Sequence, residues 1–303
     1  MAVMLIAGSF LVGRSFYRIY TRKPLVVEQA QPGEAQKRMA EVRTQDLGVL
    51  DTAAEKPAAE VAKSLRRIGR QSKDDAPKYV AQFINSDNTE IRAAAIEAAA
   101  ALGLSDFEKE IRDAFKSNNK QIRLAVIKGL GQQPNDFSRS VVRAHWDSRP
   151  SDSQERLATL LTLQRITGDL TEKEIWQNAL VKELQAFKGT ERPDEWVDAF
   201  KSLPGNNGLL DVAWKVVRKA EPTEVSFRAL LYLRDFAGAD ALKSGLGTVS
   251  IPAHRRFQLA LVDLLFDHCP TGWNQVVKNI MANDPHPTVK KGLEEAELSV
   301  KCL

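Results

Sequence analysis

The side chains that most often do chemistry in enzymes are few in this chain, and they form no recognisable motif. The chain has four histidines, none of them followed by glutamate, so the zinc-binding pattern HExxH is absent. The glycine patterns that hold phosphates and the GxSxG turn of acyl-transfer enzymes are also missing, and no CxxC pair occurs. The sequence therefore predicts that the chain is not an enzyme and has no catalytic, cofactor-binding or metal-ligating residues.

Tryptophans are the remaining candidates for a functional surface. The chain has five, and four of them fall between residues 146 and 214. Tryptophan is enriched at binding hot spots, although it also fills gaps between helices that pack irregularly. We predict that a partner contacts a surface formed by Trp146, Arg149, Trp176, Trp196 and Trp214.

The distribution of charge argues against a nucleic-acid partner. The net charge is +4, and residues 1–27 supply all of it, with four basic residues and no acidic one. The rest of the chain carries 39 basic and 39 acidic residues. Because a nucleic-acid binder usually has a net basic field or a concentrated basic face, we expect no nucleic acid. We also expect no small-molecule substrate and no cofactor, since no motif for either is present.

The N-terminal segment has the composition of a membrane anchor. Residues 2–13 read AVMLIAGSFLVG, without a charge, and arginines and tyrosines follow. Twelve helical residues span about 18 Å, short of the hydrocarbon core of about 30 Å, but continuation to Tyr20 makes the length nearly sufficient. Because the basic residues follow the apolar run, the positive-inside rule predicts a single-pass anchor at 1–24 with the C-terminal domain on the cytoplasmic side. The membrane contact would be through residues 2–20.

Three alternatives to the anchor remain: a cleaved export signal, a mitochondrial presequence and an ordinary buried helix. The polar segment that follows, residues 25–56, contains the turn signal Pro32-Gly33. We predict that it is a linker with one short helix near residues 35–43.

A helical phrase recurs in the rest of the chain with a period of about 30 residues. Residues 88–103 read NTEIRAAAIEAAAALG, and residues 119–131 read NKQIRLAVIKGLG. A third copy, DSQERLATLLTL, covers residues 152–163, and weaker copies follow between residues 224 and 298. This period with helical patterning is typical of stacked helix pairs.

The ends of the phrase have the residues that start and stop helices. Asn88 and Asn119 stand where an N-cap side chain would accept hydrogen bonds from the first turn. Gly103 and Gly131 stand where a residue with positive φ would end the helix. Each copy is therefore predicted to be a separate helix.

The phrase resembles the second helix of HEAT repeats. In that family an Asp or Asn cap, then Val/Ile-Arg, then Ala and Leu positions recur in each repeat, and Asn88, Ile91, Arg92, Ala95 and Leu102 match this pattern. The likeness is good over residues 75–135 and looser from 150 to 300, with 168–220 departing most.

The resemblance implies an all-α fold: a right-handed α-solenoid of about six to seven HEAT-like helix pairs over residues 57–303, preceded by the apolar helix and the linker. It also implies that Arg92 and Arg123 contact carbonyls or acids of the adjacent repeat.

These patterns predict a membrane-anchored protein–protein interaction scaffold that binds a partner on one solenoid face. The partner would be a protein of a membrane-associated complex. Two alternatives stay open. One is an enzyme of the HEAT-like lyase or glycosylase type, for which WDSR at 146–149 supplies the residue types, and the other is a nucleic-acid-binding scaffold.

Overall fold

The protein is all-helical in the computed structural model, as predicted. The structure describes residues 32–71, 74–187, 195–219, 223–238, 242, 255–268, 273–282 and 287–298. Within these residues there are fifteen α-helices, two short 3-10 helices (Ala53–Glu55 and Ser105–Phe107) and no strand. In chain order the α-helices are α1 (Pro32–Asp51), α2 (Ala58–Gln71), α3 (Ala76–Phe83), α4 (Thr89–Leu102), α5 (Glu108–Ala114), α6 (Lys120–Leu130), α7 (Asp136–Asp147), α8 (Ser153–Ile166), α9 (Leu170–Ala186), α10 (Glu195–Ser202), α11 (Asn207–Val217), α12 (Glu224–Phe236), α13 (Arg255–His268), α14 (Trp273–Ala282) and α15 (Pro287–Leu298).

Polar caps determine where the helices of the recurring phrase begin. The side-chain oxygen of Asn88 accepts hydrogen bonds from the backbone N–H groups of Glu90 and Ile91, at 3.0 and 3.2 Å. Asn119 accepts one from Gln121 at 2.9 Å. Each bond satisfies a donor that the first helical turn leaves without an intrahelical partner. The predicted N-caps are therefore confirmed.

The two glycines that follow the phrase end their helices differently. Gly103 has a φ of 63°, the left-handed conformation that the sequence predicts after α4. Gly131 has a φ of −63°, so the predicted positive φ after α6 is wrong. The chain continues there through right-handed turns, with hydrogen bonds from Gln132 N to Gly129 O and from Gln133 N to Leu130 O. Gly131 instead lies close to α8, since an added Cβ would be 3.2 Å from Thr162 Oγ1.

Alternate helices pack against one another along the chain. Helix α4 contacts both α2 and α6, helix α8 contacts both α6 and α10, and α10 contacts α12. The helices between them, such as α3, α7 and α9, pack against helices of this row. The alanines of α4 from Ala93 to Ala95 and from Ala98 to Ala101 are all buried. Such small side chains let the neighbouring backbones approach closely.

Two glycines mark the closest helix contacts in this row. A Cβ added to Gly69 of α2 would lie 2.5 Å from Ala98 Cβ, and one added to Gly129 of α6 would lie 2.6 Å from Ala100 Cβ and from Glu97 O. These distances are too short for any side chain larger than hydrogen. Helix α4 is therefore held between two helices by direct backbone approach.

The segment predicted as a linker contains a long helix that joins the folded body. Helix α1 covers Pro32–Asp51 and packs against α2, whereas the sequence predicts a short helix near residues 35–43. Leu50 is fully buried, and buried Asp46 accepts a hydrogen bond from Ser64 Oγ at 2.8 Å. The polar composition of the segment concealed the few apolar positions, at the C-terminal end of α1, that contact α2.

The predicted localisation as a single-pass membrane protein with a cytoplasmic C-terminal domain is contradicted. In the part of the chain that the structure describes, no helix combines the length and the apolar character needed to cross a bilayer. The helix predicted for residues 1–24, with its membrane contact at 2–20, lies outside the described residues.

The packing of α4 against α6 predicts opposite effects for two glycine-to-alanine substitutions within helices. Gly129→Ala should lower the free energy of unfolding by about 1–3 kcal/mol, because overpacking exceeds the gain in helix propensity. Gly48→Ala in α1 meets no atom within 4 Å. It should raise the free energy of unfolding by about 0.5–1 kcal/mol. Urea denaturation followed by circular dichroism measures both, and equal effects of the two substitutions would contradict the close approach.

Candidate functional site

A groove of about 620 Å³ lies across five alternate helices, α2, α4, α6, α8 and α10. Its apolar part comes from Leu124 and Ala125 of α6 and from Ala158 and Leu161 of α8. Gln121, Gln132 and Thr162 add uncharged polar groups. Because five helices contribute to it, the groove exists only when the row of helices is assembled.

The charged groups of the groove are arranged by sign. Arg70, Lys128 and Arg165 line it from the last turns of α2, α6 and α8, where positive charge complements the helix dipole. Glu195 and Asp198 line it from the first turn of α10, where negative charge is favoured for the same reason. The groove therefore has basic groups at the C-terminal ends of three helices and acidic groups at the N-terminal end of a fourth.

A buried carboxylate lies between the basic groups. Glu97 of α4 is 4% exposed, and Arg66 Nε donates a hydrogen bond to its Oε2 at 3.0 Å. Its other oxygen, Oε1, forms ion pairs with Arg70 Nη2 at 3.5 Å and with Lys128 Nζ at 3.6 Å. No hydrogen-bond donor reaches this buried oxygen from the described residues. Three cations thus surround one buried carboxylate.

The Arg of the recurring phrase joins neighbouring helices of the row. Arg123 of α6 donates from Nε and Nη2 to the two carboxylate oxygens of Glu155 on α8, each at 2.8 Å. Its Nη1 also donates to the carbonyl oxygen of Ser117 at 2.7 Å. Glu155 is 2% exposed, and its hydrogen bond raises the pKa of Arg123. The predicted contact of Arg123 with an acid of the next copy is confirmed.

Similar polar contacts recur at nearly the same spacing in the chain. Pairs 31 or 32 residues apart are Arg66–Glu97, Lys120–Asp152, Arg43–Asp75 and the hydrogen bond from Gln133 Nε2 to Ala101 O. Such a constant offset is expected when structurally equivalent residues of successive units face each other.

Arg92 departs from this pattern. Its Nε is buried and has no hydrogen-bond acceptor among the described residues, so the predicted contact does not hold for this atom. Glu155 is the third residue after its cap Asp152, and the third residue after Asn119 is Ile122. In the copy that follows Arg92, the position equivalent to Glu155 is therefore occupied by the apolar residue Ile122. No acid stands there to pair with Arg92.

His145 completes the cluster around Glu155. Its ring stacks on Phe115 with centroids 4.4 Å apart, and its Nε2 lies 2.9 Å from Glu155 Oε1. The N–H direction does not point at that oxygen, so this is a close approach rather than a hydrogen bond. Burial lowers the pKa of His145, although the nearby Glu155 opposes the effect. His145 is therefore neutral at neutral pH, in a structural cluster away from the groove lining.

The predicted partner-binding surface is not assembled as one exposed patch. Trp176, Trp196 and Trp214 are at most 8% exposed and belong to the core, while Trp146 is half-buried and packs against it. Arg149 is exposed, with a φ of 55°. The burial of the rings matches the alternative role of tryptophan, which is to fill gaps between irregularly packed helices. A partner contact with these residues stays a prediction.

The groove residues were not identified from the sequence. Single lysines and arginines at helix ends are ordinary dipole-complementing residues, so nothing distinguished Arg70, Lys128 and Arg165 from other basic residues. Their common position in the last turn of successive row helices is a signal, but it becomes visible only when the helix boundaries are known.

Comparison of the chain with protein-family models, with curated proteins and with solved structures finds no match. The function is therefore inferred from the groove and from the contacts between helices.

The buried Arg123–Glu155 pair predicts a large effect of its removal. Arg123→Ala leaves a buried carboxylate without its bidentate partner, and we expect a loss of about 3 kcal/mol in the free energy of unfolding. The control is Lys120→Ala, because Lys120 joins the same two helices through a more exposed pair with Asp152. That substitution should cost about 0–1 kcal/mol. Similar losses for both variants in urea denaturation would show that burial of Glu155 does not govern the pair.

The lowered pKa of His145 predicts a loss of stability in mild acid. In the unfolded chain His145 binds a proton as the pH falls through 6.5, the ordinary pKa of histidine, whereas in the folded protein it does not. The free energy of unfolding therefore falls with pH until the pH reaches the lowered pKa of His145 in the folded protein. His145→Gln removes this titration and leaves the other histidines in place. Between about pH 7.5 and about pH 5.5 the unfolding midpoint should fall more for the natural protein than for His145→Gln. An equal fall would refute the assignment.

Proposed function

We propose that this chain is a HEAT-like α-solenoid that serves as a protein–protein interaction scaffold and holds a segment of a partner protein in the groove over α2, α4, α6, α8 and α10. The observation that carries this proposal is the groove itself. It is about 620 Å³ in volume, and side chains from five helices line it. A site formed by successive units of a repeat array suits an extended ligand that contacts several units in turn.

The contacts between helices support the proposed array. Alternate helices pack in a row from α2 to α12, and polar pairs join α2 to α4 and α6 to α8 at offsets of 31 and 32 residues. These features agree with stacked helix pairs of HEAT-like length. The second helices of the proposed pairs, α4, α6 and α8, are among the five helices that line the groove.

The lining of the groove favours a polypeptide over other ligands. Aliphatic side chains form its apolar part, and charged groups of both signs flank it. An interface with an apolar centre and a polar rim is usual for protein partners. Nucleic acid is a poorer fit, because its phosphates follow one another along the whole strand and would also meet acidic Glu195 and Asp198, whereas a peptide can place charged side chains at selected positions.

Site-specific photo-crosslinking tests the proposal. A photoreactive amino acid replaces Gln121 or Gln132, which are exposed residues of the groove, in cells that make the protein naturally. The matched control replaces Asp136 of α7, whose side chain is 97% exposed and lies outside the groove lining. Crosslinks to a polypeptide of defined mass are expected from the two groove positions and not from position 136.

Two results would contradict a protein-binding groove. One is the absence of crosslinked polypeptide at both groove positions, and the other is the same crosslinked products at position 136. Each variant is first compared with the natural protein in thermal unfolding, so that a misfolded variant is not read as loss of the partner.

A further inference from the structure

We propose that the groove selects an acidic peptide segment, in which Asp or Glu side chains pair with Arg70, Lys128 and Arg165 while an aliphatic side chain packs against Leu124 and Leu161. This inference rests on the proposed function, because it specifies the chemistry of the partner that the same groove holds.

The lining of the groove has three basic and three acidic residues, but positive charge is in excess around Glu97. Arg66, Arg70 and Lys128 share the single carboxylate of Glu97, and the closest of the three contacts is the hydrogen bond from Arg66. Arg165 is exposed and forms no ion pair with the residues that the structure describes. Arg70 and Lys128 have about half of their side-chain area exposed or more, at 51% and 60%. All three groove cations are therefore accessible to an incoming carboxylate.

The acids of the groove are already engaged. Gln154 Nε2 donates to both carboxylate oxygens of Glu195, at 3.2 and 3.3 Å. Asp198 pairs with Lys201 of its own helix at 3.9 Å. A basic peptide would have to compete with these contacts, and it would meet the excess positive charge at the other side of the groove. Charge complementarity thus favours an acidic segment over a basic one.

The geometry around Glu97 suits an acidic side chain. Arg70 Nη2 and Lys128 Nζ each lie within 3.6 Å of the same oxygen, Glu97 Oε1, so they are no more than about 7 Å apart. One acidic side chain can therefore reach both cations. Glu97 itself is buried, so it positions the two cations while their exposed faces remain open to the bound segment.

The apolar and acidic groups set the orientation of the segment. Leu124 and Leu161 lie on adjacent helices of the row, α6 and α8, and offer a contact for one aliphatic side chain. Glu195 and Asp198, at the N-terminal end of α10, repel carboxylates. The acidic side chains must therefore face the C-terminal ends of α2, α6 and α8, with the aliphatic side chain between the two rims.

A selection from a random peptide library tests this specificity. A displayed library of 12-residue peptides is selected against the full chain, against the double variant Lys128→Glu/Arg165→Glu, and against the control Lys63→Glu, which changes an exposed lysine of α2 outside the groove lining. We expect enrichment of Asp and Glu together with Leu, Ile or Val for the natural chain and for the control. For the double variant the acidic enrichment should disappear.

Affinity measurements then give the size of the effect. Fluorescence anisotropy with the most enriched peptide should show a dissociation constant weakened about ten-fold by the double variant, and nearly unchanged by Lys63→Glu. The milder double variant Lys128→Gln/Arg165→Gln should weaken binding by a smaller factor, which keeps the test decisive if charge reversal disturbs folding. A fluorescent single-stranded RNA of about 20 nucleotides, measured at the same salt concentration, represents the competing class of ligand.

Three other results would contradict the acidic specificity or the proposed function as well. Enrichment of basic or uncharged peptides would overturn the acidic specificity and leave the protein-binding groove standing, provided that crosslinks form at positions 121 and 132. RNA binding that exceeds peptide binding and is lost in the double variant would overturn the acidic-peptide specificity and would indicate that the groove binds nucleic acid. If no peptide is enriched and no polypeptide is crosslinked, both the specificity and the proposed function fail.

Discussion

The close approach of α4 to its two neighbours is the constraint on which the rest of this structure depends. Gly69 and Gly129 present only backbone to α4, and the buried alanines of α4 complete the contact. Helices packed this tightly leave little room for side chains between them, so larger and charged groups are displaced toward the ends and edges of the helices. The groove and its basic groups, in the last turns of α2, α6 and α8, lie along those edges.

Polar contacts fix the register of this row, and they differ in burial. Arg123 reaches the nearly fully buried Glu155 with two hydrogen bonds, whereas Lys120 and Asp152 join the same helices near the surface. A buried pair adds little net stability compared with apolar packing, but breaking it is costly, so it disfavours other arrangements of the two helices. Glu97 serves differently, because a single buried carboxylate holds three cations near one another at the groove.

Residue types alone were a poor guide to the candidate site. Tryptophans were predicted to contact a partner because they are common at binding hot spots. Three of the five predicted contact residues, Trp176, Trp196 and Trp214, nevertheless lie in the core. The groove is formed instead by common residues such as Gln121, Leu124 and Lys128, which gain their significance from being brought together by five helices. The part of the chain from 168 to 220, where the repeated phrase was least regular, still supplies α10 to the groove.

The sequence by itself determined the helical class and the start of α4 and α6 at Asn88 and Asn119, because periodicity and capping are local features. The resemblance to HEAT repeats implied that Arg92 and Arg123 contact the following copy, and this holds for Arg123 but not for the Nε atom of Arg92. Tertiary structure decided what depends on the relative placement of distant helices. The right-handed turn at Gly131, the docking of α1 on α2 and the convergence of Arg70, Lys128 and Arg165 on one groove all follow from which helices pack together. No short stretch of chain contains that information, since each of these features is created by contact between separate segments.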